Sequence, residues 1–74
     1  MKSVYVRLNG MKQVNEFVHL LQKHTGEFDL KGGKYTVDAK SILGIFSLDT
    51  SDLLELVIYD EDETIMEDLK SYLA

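Results

Sequence analysis

Ser41 opens the run Ser41-Ile42-Leu43-Gly44-Ile45-Phe46-Ser47-Leu48, in which one small hydroxyl residue precedes a block of large apolar side chains. The block is too short for a full-length helix, and a short helix starting at Ser41 gives the hydroxyl two kinds of chemistry. It can accept a hydrogen bond from a first-turn amide that lacks an intrahelical partner. Phosphorylated, it would set negative charge at the helix N-terminus, beside Ile42, Leu43 and Phe46. Other candidates for chemistry are weaker. His19 and His24 stand five apart, whereas two ligands on one helical face need a spacing of three or four. Asp60-Glu61-Asp62-Glu63 gathers carboxylates, but adjacent side chains do not converge on one ion, so no metal site is expected there. Gly32-Gly33 separates two strand-like runs and is not a strand-to-helix junction, so it is no phosphate-cradling loop. Without cysteine there is neither a disulfide framework nor a thiolate metal site.

The elements that must hold these residues follow from the spacing of the apolar positions. Lys2 to Leu8 alternates, with Val4, Val6 and Leu8 on one side and Ser3, Tyr5 and Arg7 on the other, the pattern of a half-buried strand that Asn9-Gly10 breaks. From about Lys12 to His24 the period changes. Val14, Phe17, Val18 and Leu21 share one helical face with Leu20 at its edge, and Asn15, His19, Gln22 and Lys23 cover the opposite side. Thr25-Gly26 ends this helix, the glycine suiting a left-handed C-terminal position. Glu27 to Lys31 and Lys34 to Asp38 are short alternating runs, with Phe28, Leu30, Tyr35 and Val37 as inward candidates. Gly32-Gly33 between them predicts a two-residue hairpin with positive φ at both positions.

The short helix of Ser41 to about Leu48 comes next, with Ile45 and Leu48 able to point inward, then the polar connection Asp49-Thr50-Ser51-Asp52. Leu54 to Tyr59 is the most apolar strand, with Leu54, Leu56 and Ile58 on one face. Asp60 and Glu63 predict a capping-box start for a last helix, Glu61 and Asp62 suit its positive end, and Ile65, Met66, Leu69, Tyr72 and Leu73 form its buried stripe. The order is βαββαβα. Helices with single apolar stripes and alternating strands predict an α+β domain over residues 1–74: one four-stranded antiparallel sheet with the helices on one face. A ferredoxin-like βαββαβ domain with an added C-terminal helix is the competing arrangement, against which the shortness of the second helix counts.

Bulk properties limit the function classes. Seventy-four residues bury only about 60% of their unfolded surface, so a domain without staples must rely on regular, well-packed elements. Hydrophobic residues at 45% and charged residues at 28% argue for a globular domain and against disorder. With 8 basic against 13 acidic residues and a net charge of −5, nucleic acid is disfavoured, because its binding depends on neutralising phosphates. A single arginine, Arg7, leaves little for bidentate phosphate recognition. No charged-then-apolar leader opens the sequence, and no apolar run nears the roughly 18 residues of a membrane span. A cytoplasmic protein without membrane association is the expectation.

From about Val37 to Ile58 the sequence resembles, without a gap, the regulatory-serine segment of the histidine-containing phosphocarrier protein HPr of the bacterial sugar phosphotransferase system. The resemblance implies the HPr open-faced β-sandwich, whose element order is the one read above. In that family the loop after the first strand reads approximately Gly-hydrophobic-His-x-Arg-Pro-Ala, and its histidine accepts and passes on a phosphoryl group. Here Asn9-Gly10-Met11 is followed by Lys12 at the histidine position, Val14 at the arginine position, Asn15 for the proline and Glu16 for the alanine. Phosphoryl acceptance needs a neutral nucleophilic nitrogen near pH 7 and a cation for the phosphoryl group, and an alkylammonium is a poor acceptor. Neither His19 on the polar face nor His24 near a helix C-terminus, where carbonyls repel phosphate, replaces it.

The family's second site is better matched. Ser41 corresponds to its regulatory serine, and Ile42, Leu43 and Phe46 to its docking positions, with Gly44 also in pattern. The resemblance therefore implies a non-enzymatic, non-phosphocarrying relative that uses no cofactor. It would bind protein partners, either phosphotransferase-system or transcription-regulatory components, through the start of the second helix and the adjoining start of the first. The competing class is a small-metabolite-sensing βαββαβ regulatory domain.

Overall fold

The computed structural model describes residues 1–60 and 63–74. Alternating apolar residues build β1 (Lys2–Val6), β2 (Phe28–Gly32), β3 (Tyr35–Asp38) and β4 (Leu54–Ile58), and the helical stripes build α1 (Gly10–Gln22), α2 (Ile42–Phe46) and α3 (Glu63–Asp68). The strands form one antiparallel sheet in the order β1-β4-β2-β3. Register brings Val4, Leu56, Leu30 and Val37 into one row across it, so a single line of apolar side chains faces the helices. Against that face pack Val14, Phe17, Val18 and Leu21 of α1, Ile45 of α2, Leu48, Ile65 of α3, and Leu69 and Tyr72 beyond it. Each fully buried Leu, Ile or Phe contributes about 1.5–3 kcal/mol, and this one cluster supplies the domain's cohesion.

The architecture is an α+β open-faced sandwich with the predicted order of elements. The strand inserted between β1 and β2 is β4, which leaves β1 at an edge and decides against the ferredoxin-like arrangement. Among the described residues no helix is long and apolar enough to cross a membrane. Past α3 the chain runs along the outer side of β1. Arg7 N donates to Tyr72 O at 2.9 Å, Ala74 N donates to Tyr5 O at 3.0 Å, and Val6 bridges Leu73. The β1 edge is thereby covered, while β3 ends the sheet on the other side.

Several local expectations are corrected. Tyr35 has the phase of a core residue but is 66% exposed, because it lies at the sheet's edge beyond the reach of the helices. Leu73 is 38% exposed: the helix has ended, and Leu73 belongs to the extended segment beside Val6. The hairpin turn is Gly33-Lys34, with Gly32 paired to Tyr35, and of these only Gly33 has positive φ, at +59°. Positive φ at the first central position alone is the type II′ pattern. Gly26 is not left-handed either. Its small size matters instead, because a Cβ there would lie 2.9 Å from Asp60 Oδ2. The predicted capping box pairs Asp60 with Glu63, and the Glu63 side chain, together with Glu61 and Asp62, lies outside the described residues.

Candidate functional site

Two helix starts carry the residues singled out by the sequence. At α1, Asn9 is the N-cap, but its side chain makes no capping bond. The contact made there is the reverse one, Gln13 Oε1 accepting from Asn9 N at 2.8 Å. Gly10 has φ +80°, a conformation that permits the abrupt entry into the helix and that side chains rarely adopt. Met11 and Lys12 follow on the first turn, both exposed, so position 12 presents an ammonium to solvent. Val14 points the other way and is fully buried in the core cluster. A guanidinium at position 14 would therefore enter the core, not reach toward residue 12. Pairing Lys12→His with Val14→Arg is consequently no route to a phosphoryl cradle in this chain. His19 is exposed on α1.

The start of α2 is built more tightly. Ser41 is its N-cap, with extended φ and ψ of −103° and 112°, and its Oγ accepts from Gly44 N at 3.0 Å. Ser41 N donates to Asp38 O, and Ser41 O accepts from Ile45 N, both at 3.0 Å. Gly44 sits close against β3, since an added Cβ would lie 3.2 Å from Val37 Cβ. The apolar residues divide by helical phase. Ile45 and Leu48 are buried, and Ile42 is half-buried and packed against the core. Leu43 is 85% exposed and Phe46 44% exposed. The three proposed docking side chains are thus unequal: two face solvent, and one is shared with the core.

Sequence reasoning missed a buttress behind Ser41. Lys40 Nζ donates to His24 O at 2.6 Å and lies 5.5 Å from the centroid of the Phe28 ring. The His24 ring, almost fully buried, places Nε2 2.8 Å from Asp68 Oδ2 at the end of α3. One histidine thus joins the end of α1, the lead into α2 and the end of α3. No local pattern signals this, because the partners are distant in sequence. The hydrogen-bonded junction between α1 and the lead into α2 accordingly lies at the C-terminal end of α1. Two further groups respond to their surroundings. The Asp49 carboxyl is held below its ordinary range by hydrogen bonds from the Ser51 hydroxyl and amide. The Tyr59 hydroxyl donates to Asp29 Oδ2 at 2.7 Å, which pushes its titration up. Among the described residues no group of three or more His, Asp or Glu could hold a metal ion.

Neither a protein-family model nor a curated protein sequence matches the chain. Solved structures do. HPr-C-His from Thermoanaerobacter tengcongensis is similar with a TM-score of 0.78 and 26% sequence identity, over 93% of this chain and 90% of that one. A phosphocarrier protein HPr from Bacillus anthracis str. Ames is similar with a TM-score of 0.75 and 26% identity, over 99% of this chain and 94% of that one. The fold is that of HPr. The similarity extends over nearly the whole chain and so includes the first strand and α1, well beyond the segment that carries the resemblance in sequence.

Proposed function

We propose that this protein is an HPr-like relative of the phosphotransferase system that binds protein partners through α2 and does not carry phosphate at the start of α1. The likeness to HPr structures supports the connection to that system and a non-enzymatic role. The observation that carries the rest is the contrast in side chains at the two helix starts. An exposed ammonium at Lys12 with a core valine two residues on offers neither nucleophile nor cradle. The Ser41 cap, by contrast, stands beside the exposed Leu43 and Phe46, with Ile42 half-buried between patch and core. A phosphoryl group on Ser41 would add about two negative charges at that patch and change which partners bind there. Partners of this kind are phosphotransferase-system or transcription-regulatory proteins, met in the cytoplasm.

The test has two arms. Incubation with phosphoenolpyruvate and the system's first enzyme should leave the intact mass unchanged, and a stoichiometric acid-labile phosphoryl adduct would overturn the non-carrier reading. In the second arm, purified components of the phosphotransferase system are titrated against wild type, Leu43→Ala, Phe46→Ala and Ser41→Asp. Binding should fall in the first two and change in the third. A partner bound equally by all four would remove α2 as the surface.

A further inference from the structure

We propose that the open edge of the sheet is a self-association surface, on which two copies pair β3 against β3, antiparallel, about a two-fold axis at Thr36. The hairpin geometry determines which backbone groups face that edge. Gly32 and Tyr35 flank a two-residue turn and form a hydrogen-bonded pair, so Leu30 and Val37 form the next one, and Phe28 O accepts from Ala39 N at 3.0 Å to continue the ladder. The amide and carbonyl of Thr36 therefore project away from β2. Among the described residues nothing follows β3 in the sheet, whereas the β1 edge is covered by residues 72–74. An unpaired strand edge is a template for another strand.

The occupant argued for is a second copy, because Lys34-Tyr35-Thr36-Val37-Asp38 is complementary to itself when reversed. Centring on Thr36 places its amide and carbonyl against the same groups of the second copy, a hydrogen-bonded pair on the axis. Lys34 then stands opposite Asp38 of the second copy, and Asp38 opposite its Lys34, two ion pairs related by symmetry. Tyr35 stands opposite the second copy's Val37, an aromatic–β-branched pair at a non-hydrogen-bonded site, where side chains approach most closely. This also accounts for Tyr35 itself. It carries the phase of a core residue yet is 66% exposed, and a second copy would cover the face that the helices do not reach. A slip of one residue would turn Tyr35 to the opposite face from Val37 and separate the charges, so the register is specified. A four-residue edge buries far less than the roughly 1,000 Å² typical of a stable interface, so the dimer is weak and depends on concentration.

Sedimentation of the full chain over a concentration series up to the millimolar range tests this. The mass of the wild type should rise toward that of a dimer, and Thr36→Pro, which removes an outward-facing donor and leaves the β2–β3 ladder intact, should stay monomeric with an unchanged circular dichroism spectrum. Lys34→Glu replaces both ion pairs with repulsion and should weaken dimerisation about tenfold, and Tyr35→Ser should weaken it as well. These two exposed substitutions decide the matter if Thr36→Pro fails to fold. A wild type that remains monomeric throughout, or a dimer that persists unchanged in Lys34→Glu and Tyr35→Ser, would overturn the proposal.

Discussion

The starts of α1 and α2 are the same structural device built to different standards. Asn9 caps α1 in position but not in hydrogen bonding, and Lys12 stands exposed on the first turn. Ser41 caps α2 through its side chain, and the chain just before it is tied down by Asp38 and by Lys40 reaching His24 O. The longer helix needs its cap less. Val14, Phe17, Val18 and Leu21 bury a full stripe and hold α1 by packing, whereas five-residue α2 buries only Ile45 within its span. A short helix with one buried residue depends on its terminal hydrogen bonds. Stability at the α1 start therefore rests on the buried stripe and not on the exposed side chains, whereas at α2 the Ser41 cap and the half-buried Ile42 serve stability directly beside the exposed Leu43 and Phe46.

The largest effect that would break this comparison is at position 14. Val14→Arg should cost more than ~4 kcal/mol in denaturant melts, because a guanidinium would be buried without a partner. Lys12→His, two residues away on the surface, should stay within ~0.5 kcal/mol of wild type. A well-folded Val14→Arg would mean that the start of α1 can rotate its face, and the contrast drawn here would fail. Next in size is the division within α2. Ile45→Ala should cost about 2–5 kcal/mol, while Leu43→Ala should cost under ~0.5 kcal/mol and Phe46→Ala an intermediate amount. Equal losses for Ile45→Ala and Leu43→Ala would place the exposed patch in the core.

How far the sequence could be read follows from what each signal measures. The order of elements, the α1 stripe and the inward face of β4 were legible, because a period of 3.6 or 2 states which residues share a face. Periodicity does not state whether anything covers that face, which is why Tyr35 and Leu73 carry the phase of core residues and yet are exposed. The hairpin was legible from its glycines, but its position was off by one residue, since Gly32-Gly33 and Gly33-Lys34 differ only in which pair closes the ladder. At the site, the cap and helix phase of Ser41 were legible from local sequence. The bracing by Lys40, His24 and Asp68 was not, because those residues meet only after the sheet and helices have been assembled.

A smaller effect compares the caps themselves. Ser41→Ala removes the bond to Gly44 N and should cost about 1 kcal/mol, whereas Asn9→Ala removes no side-chain cap and should change stability by no more than ~0.5 kcal/mol. Ser41→Asp keeps an acceptor at the cap and should melt close to wild type. Equal losses for Ser41→Ala and Asn9→Ala would show that the two starts are equivalent after all.

The smallest effect separates the two regions by pH. Tyr72 packs edge-on against Phe17 of α1, with ring centroids 5.5 Å apart, and its phenol is pushed above its ordinary range by burial and by the negative charge of Glu16. The neutral phenol is therefore favoured in the folded state. Its contribution to stability is fully present below the unfolded value near ~10 and is lost as pH rises through the folded value, because the unfolded chain gives up the proton first. Stability should thus fall on the alkaline side, and Tyr72→Phe should flatten that fall. Glu16→Gln removes one of the two causes and should reduce it in part. Amide resonances of α1 and residues 72–74 should respond before those of α2, whose span Ile42–Phe46 holds no titratable side chain. Loosening that begins at Ser41 and Gly44 instead would place the weaker anchorage in α2.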